Sequence, residues 1–440
     1  MEKIVWIAAF IRVSSKLETP VSKNFSFSTL SQAELERITT APHIFISRIR
    51  RAVDERRTSV NSAVTRHLIR SPLIEPRQFH RLKLVGGGRF LVTSTEDGLL
   101  ELWDLGYLPS ALLPLHPVAS TAVTGIGSFD DCLHVNPRGD GSGFIILFIS
   151  SSRMTHKFTV FAIEPTVPAP KFELIATRET SAFPIGPFSL SNFVVGWIER
   201  GREVHFWDAR QDLHLQEASR CCFPDMTTPV GNQLLIIESY KRRVHIHRIP
   251  TFSSRRRGGR NSLVPQEGRP SSAFTQTHDL STTIVNSIND AVILKDSDRL
   301  YLGLFAGDQS LCRFSLQPFD SSASGSNGWR LIPTLFGKSF LKNNTRANSR
   351  IVHQARSSLT LSDHEALLVW KDFRGGMYAA LQTTRPGYLT SDTSAVQLSK
   401  VLQGEEYESR FDRSPLLGRL VHLSPHGVLQ VLDFVPPPAS

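Results

Sequence analysis

From residue 89 onward the chain repeats one local pattern, in which two short runs rich in Val, Ile, Leu and Phe are separated by a tight polar turn. Residues 90–94 read Phe-Leu-Val-Thr-Ser, a turn follows at Glu96-Asp97-Gly98, and residues 99–104 read Leu-Leu-Glu-Leu-Trp-Asp. Asp-Gly suits such a turn because glycine takes positive φ with no Cβ to clash. The arrangement returns at 144–149 with 158–163, 193–198 with 204–208 across Arg200-Gly201, and 234–237 with 244–249. It returns again at 300–305 with 311–316, 366–370 with 377–381, and 420–423 with 428–434. Seven hairpins make fourteen strands before any outer strand is counted, which is too many for a sandwich of about 7 strands.

Successive turns lie roughly 40 to 70 residues apart, near the roughly 40–50 residues of a four-stranded blade in a β-propeller. The pattern therefore predicts a mainly β chain: a seven-bladed β-propeller over 77–440, preceded by a short α-helical segment over 1–76. The longer intervals hold stretches rich in Ser, Arg, Gly and Pro near 251–279 and 320–328, expected to be disordered loop insertions. Residues 79–84 and 428–434 are both strand-like, and placing them in one shared blade closes the ring and removes its edges.

In the lead-in, Ser31 and Glu34 have the spacing of a capping box, and Leu35 and Ile38 continue an apolar face. Pro42 is expected to interrupt this helix. A second helix should follow, with Phe45, Ile49 and Val53 at helical spacing and Arg48, Arg50, Arg51, Arg56 and Arg57 over much of the remainder. Two roles are open for it: docking on an acidic partner, or packing on its own domain with a solvated basic face. The second is the simpler.

The net charge of +10 is unevenly placed. Residues 34–89 carry +7 and residues 241–270 carry +8, so the rest is net −5. The sharpest basic feature is Arg255-Arg256-Arg257-Gly258-Gly259-Arg260, whose arginine forks suit phosphate. No aromatic interleaves it for base stacking, so a solvated insertion or a nuclear import patch is preferred over nucleic-acid binding. With Arg50 and Arg51 it is the candidate basic interaction patch.

Catalytic and ligand motifs fail on spacing. Gly337-Lys338-Ser339 lacks the first glycine of a phosphate loop, and His364-Glu365 lacks the second histidine of a zinc protease helix. His245 and His247 point to one face of a predicted strand, but Arg242, Arg243 and Arg248 surround them and an ordinary exposed face is the expectation. Asp140, between glycines, is explained by turn chemistry. No catalytic, cofactor-binding or metal residues are assigned. The four cysteines, Cys132, Cys221, Cys222 and Cys312, lack metal or redox spacing and are read as small buried residues of a cytoplasmic or nuclear protein. The apolar run at 4–11 is too short to span a bilayer, so no membrane association is expected.

Two hairpins end in Trp-Asp, at Trp103-Asp104 and Trp207-Asp208, a few residues after Asp97-Gly98 and after Gly201. These endings resemble WD repeats, although the other five hairpins lack the pair. The stretch from Phe79 through Val85-Gly86-Gly87-Gly88 to Leu102-Trp103-Asp104-Leu105-Gly106 resembles the first blade of a fungal F-box protein family with WD-repeat-like propellers. Leu30-Ser31-Gln32-Ala33-Glu34-Leu35-Glu36-Arg37 resembles that family's linker helix. The resemblance implies a non-enzymatic protein-interaction module. In the family, the F-box docks on the adaptor of a cullin-based ubiquitin ligase and the propeller holds the substrate. The sequence opens at what resembles the tail of an F-box, Ile4-Val5-Trp6-Ile7, without its Leu-Pro start. An adaptor is therefore an expected partner only where that module is complete, and protein partners on the propeller surface are expected in either case. The alternative is a nuclear or RNA-associated propeller scaffold acting through the basic loop 255–260.

Overall fold

The computed structural model describes residues 3–16, 27, 30–68, 79–123, 132–138, 140–151, 155–180, 184–189, 193–199, 203–218, 226–230, 233–238, 241–249 and 276–280. Beyond these it describes 288–296, 299–306, 310–321, 326–343, 357–362, 365–371, 376–383, 390–400, 411–414, 417–423 and 428–437.

Two helices, α1 (Lys3–Lys16) and α2 (Gln32–Asp54), precede a first strand, β1 (Val64–Leu68). The chain then lays down strands in consecutive antiparallel quartets. The first is β2 (Phe79–Val85), β3 (Phe90–Thr95), β4 (Leu99–Asp104) and β5 (Ala119–Ala122), and the second is β6 (Cys132–Pro137), β7 (Phe144–Ser151), β8 (His156–Ile163) and β9 (Glu173–Thr180). The third is β10 (Pro184–Ser189), β11 (Val194–Glu199), β12 (Glu203–Asp208) and β13 (Leu213–Ala218). The fourth is β14 (Met226–Val230), β15 (Gln233–Glu238), β16 (Arg243–Arg248) and β17 (Gln276–Asp279).

Next come β18 (Ile288–Asp296), β19 (Arg299–Ala306), β20 (Ser310–Ser321) and β21 (Ser326–Asn343), then β22 (Ser357–Ser362), β23 (Glu365–Lys371), β24 (Gly376–Thr383) and β25 (Thr390–Lys400). These two quartets merge into one eight-stranded sheet because β21 and β25 pair in parallel. The last sheet holds β26 (Phe411–Ser414), β27 (Arg419–Leu423) and β28 (Leu429–Asp433), and its fourth strand is β1.

All seven hairpins read from the sequence are antiparallel pairs: β3 with β4, β7 with β8, β11 with β12, β15 with β16, β19 with β20, β23 with β24, and β27 with β28. The first strands of successive quartets lie side by side, from β2 through β6, β10, β14 and β18 to β22, and β26 lies beside β2. The middle strands are sandwiched between neighbouring sheets, so β3 and β7 are buried along their whole length. Burial on both faces explains why such strands read as continuous apolar runs instead of alternating. Each core cluster spans two sheets. Val92 and Leu102 pack with Ile146 and Phe161, and Ile145 and Phe158 pack with Trp197 and Trp207. Val204 and Phe206 pack with Leu234 and Ile236, and Leu235 and Ile246 with Leu302 and Phe314.

Four expectations are corrected. Residues 79–84 do not share a sheet with 428–434. β1 pairs antiparallel with β28, from Val64↔Asp433 to Leu68↔Leu429, while β2 opens the neighbouring sheet. The β part of the chain thus begins before residue 77, inside the stretch expected to be helical. Its short alternation of half-buried and exposed residues at Val-Thr-Arg-His-Leu gave little apolar signal.

Pro42 does not end a helix; α2 runs through it. Interior proline costs about 3 kcal/mol, but Leu35, Ile38, Phe45, Ile49 and Ala52 form one buried stripe in register across it. Burying each large side chain contributes roughly 1.5–3 kcal/mol, so a continuous helix wins. Residues 320–321 and 326–328 are not irregular loop but the end of the β20–β21 ladder, with Asp320↔Asn327 and Ser321↔Ser326 paired. Likewise 276–279 form β17 against β16, which uses their backbone groups in a ladder. Residues 251–275 lie outside the described residues.

Candidate functional site

Helix α2 begins with the reciprocal capping box predicted for it: the Glu34 N–H donates to Ser31 Oγ at 3.2 Å, and the Ser31 N–H donates to the Glu34 carboxylate at 2.8 Å. Its apolar stripe packs on the last two quartets, against Leu367, Ala379 and Val396 and against Leu420, Leu432 and Phe434. A polar anchor fixes the same helix. Buried Asp433 on β28 accepts from Arg419 Nε of β27 at 2.8 Å and from Arg66 Nη2 of β1 at 2.9 Å, and Arg37 Nη2 of α2 lies 3.8 Å away. Three largely buried cations on one carboxylate are tolerable because each guanidinium also donates to backbone carbonyls. Arg37 donates to Val435 O and Pro436 O, Arg66 to Leu105 O and Ala111 O, and Arg419 to Gly88 O and Gly106 O. Burial, with Arg419 and Arg66 nearby, lowers the Arg37 guanidinium to about 10 although Asp433 opposes the shift. The cluster joins α2, β1, β27 and β28, and through Gly88 and Gly106 it reaches the first quartet.

This anchoring sets the position of α1. Phe10 of α1 is buried and meets Phe27 edge-on at 5.7 Å, and Trp6 and Ile7 pack against the same core. The other side is also apolar: Ile4, Ala8 and Ile11, at helical spacing, are exposed, Ile4 at 72%. A helix apolar on both sides is ordinarily buried on both. No helix among the described residues is long and apolar enough to cross a membrane.

The repeat-signature residues have structural work. Gly98 has φ 87° at the β3–β4 turn, where the Thr95 hydroxyl bonds Asp97 and accepts from the Leu99 N–H. Trp103 is fully buried and donates from Nε1 to Thr93 Oγ1 at 3.1 Å, while Asp104 takes a two-pronged bond from Arg89. In the second pair the partners change. Trp207 donates to Asp212 at 2.9 Å, and Asp208 accepts from the backbone of Arg210 and Gln211. Gly201 lies outside the described residues.

Arg50 and Arg51 are exposed near the end of α2, whereas Arg48 turns inward and bonds Phe434 O and Asn61 O. The helix thus packs on its own domain with a basic outer face. Arg255, Arg256, Arg257 and Arg260 lie outside the described residues. Gly337–Ser339 run inside β21, paired to β20 and, from Lys338 on, to β25, and not as a loop before a helix. Asp140 accepts from the N–H and hydroxyl of Ser142, the turn chemistry expected of it. Cys312 is buried, but Cys132 is only partly so.

His245 and His247 are not exposed. Both are buried, because β16 is a middle strand covered on both faces. His245 bonds Glu238 at 3.0 Å and Thr277 at 3.0 Å, and desolvation, then His245, lowers His247 to about 4. The corresponding place in the preceding sheet holds a cluster that motif spacing missed: Glu199, Glu203 and His205, whose ligand atoms lie within 4.8 Å of one another. Its only sequence signal is a glutamate at each end of a hairpin turn with a histidine two residues further.

No protein-family model and no curated protein matches the sequence. Among solved structures, the chain is similar to the β-propeller domain of Myceliophteria thermophila Cps50 (Swd1), at 12% identity and TM-score 0.48, covering 85% of this chain and 100% of that one. It is also similar to U3-55K, at 9% identity and TM-score 0.47, covering 85% and 100%. A third is the C-terminal WD40 domain of Sif2, at 7% identity and TM-score 0.46, covering 85% and 99%. Likeness at this level leaves the architecture to be argued from the strand order itself.

Proposed function

We propose that the chain is a non-enzymatic interaction scaffold: a closed, seven-bladed propeller carrying a helical docking element. The reading of seven blades rests on splitting the eight-stranded sheet at its one parallel pairing, β21 with β25. The reading of closure by β1 is supported by its place beside β28, with the last sheet next to the first. The observation that carries the interaction reading is α1, which packs one side on the core while exposing Ile4, Ala8 and Ile11. An apolar strip on a helix held by the scaffold suits a protein partner.

Within that reading, the resemblance assigns α1 to the adaptor side of an F-box subunit and the ring to holding a ubiquitination substrate, in the cytoplasm or nucleus. Affinity purification of the protein expressed from its own gene tests this, with Ile4→Asp/Ile11→Asp alongside. Ligase adaptor and cullin should co-purify with the unaltered protein and be lost from the variant. Recovery of no ligase subunit contradicts the ligase role, and an identical partner set from both proteins contradicts docking through α1.

A further inference from the structure

We propose that Glu199, Glu203 and His205 form a binding site for a divalent transition-metal ion of the Zn²⁺ class. Glu199 and Glu203 are directly opposite each other at the end of the β11–β12 ladder. Like charges in that position destabilise a hairpin. His205, two residues beyond Glu203, shares its face of the strand. The His205 ring is buried, with 5% of its side chain exposed, and its Nε2 has no hydrogen-bond partner. That nitrogen lies 3.5 Å from Glu199 Oε2 and 3.9 Å from Glu203 Oε2.

Those separations are long for hydrogen bonds but suit ligands around one ion. Tetrahedral Zn²⁺ with bonds of about 2.1 Å sets its ligand atoms roughly 3.4 Å apart. The other face of the imidazole is already oriented. His205 Nδ1 and His214 Nε2 are 3.1 Å apart, and the Trp197, His205 and His214 rings lie parallel to within 13°. With Nδ1 donating to His214, the Nε2 lone pair faces the carboxylates, as a metal ligand would. Glu199 also accepts a long bond from Thr180 through Oε1, which leaves Oε2 toward His205.

The neighbouring sheet is an internal contrast. There the same ladder position pairs Glu238 with Arg243, opposite charges, and His245 is bonded to Glu238 and Thr277. Among the described residues, only the third quartet combines two opposed carboxylates with an unbonded imidazole nitrogen. Glu203 is half-exposed, which gives an ion a way in.

The test is Zn²⁺ titration calorimetry on the full chain without an affinity tag, with Co²⁺ absorption as the geometric readout. One equivalent is expected to bind. Glu199→Gln/Glu203→Gln, at two partly exposed positions that should spare folding, should weaken binding by at least about 100-fold. His214→Ala should weaken it about 10–100-fold as an orienting partner. Absence of saturable uptake overturns the proposal, as does unchanged affinity in a double variant whose melting temperature matches the unaltered chain.

Discussion

Asp433 shows how much one side chain can organise. It is buried among Arg37, Arg66 and Arg419 and is the only carboxylate that those three reach among the ion pairs of the described residues. Removing it leaves three cations in a low-dielectric site, a loss of about 3–5 kcal/mol. Asp433→Asn should therefore cut the denaturation free energy by that amount, measured by urea unfolding, while Asp140→Asn, in an exposed turn, should change it by about 0.5 kcal/mol or less. His247 makes a pH-dependent contribution. Its folded value of about 4 lies below its ordinary 6.5, so the unfolded chain binds the proton first as pH falls. Its share of stability is present above pH 6.5 and is lost progressively toward pH 4. Unfolding followed from pH 7 to 4.5 should show a smaller loss in His247→Gln than in the unaltered chain. At this scale sequence was least informative, because two of the three partners of Asp433, Arg37 and Arg66, lie hundreds of residues away. For His245 and His247 it misread burial, since strand alternation cannot reveal a second sheet covering the other face.

At the scale of elements, local chemistry was legible and long-range pairing was not. The turn at Asp97-Gly98 and the capping box at Ser31 and Glu34 needed only neighbours in sequence, and both are present as expected. Pro42 was misjudged because a local rule was weighed without the tertiary burial that opposes it. β1 was missed because five residues with mixed burial carry almost no periodic signal. Two predictions belong here. Gly418 has φ 57°, and an added Cβ would sit 3.0 Å from Phe45 of α2 and 3.0 Å from Val435. Gly418→Ala should lower stability by about 2 kcal/mol, through left-handed strain and crowding of the helix. Phe45→Ala, which empties the same contact, should cost about 3–5 kcal/mol. Both are read from thermal or urea unfolding.

For the whole molecule, the charge pattern and the sheet order both set the lead-in apart from the sheets. Basic excess sits in the lead-in and the 241–270 window, and the remainder is mildly acidic, so long-range attraction of nucleic acid by that remainder is not expected. The sheets in turn depend on the lead-in, because β1 covers the otherwise open edge of β28 and brings Arg66 to Asp433. A chain starting at residue 77 would lose β1, Arg37 and Arg66 together. It should aggregate or melt without a cooperative transition, as seen by sedimentation and calorimetry.

The most direct test of the account is amide hydrogen exchange on the intact chain, followed by mass spectrometry at peptide resolution. A ring closed by β1 predicts that residues 64–68 are protected to the same degree as 429–433 and open with them in one event. Exchange of 64–68 at the rate of an unprotected segment, with 429–433 still protected, would contradict it.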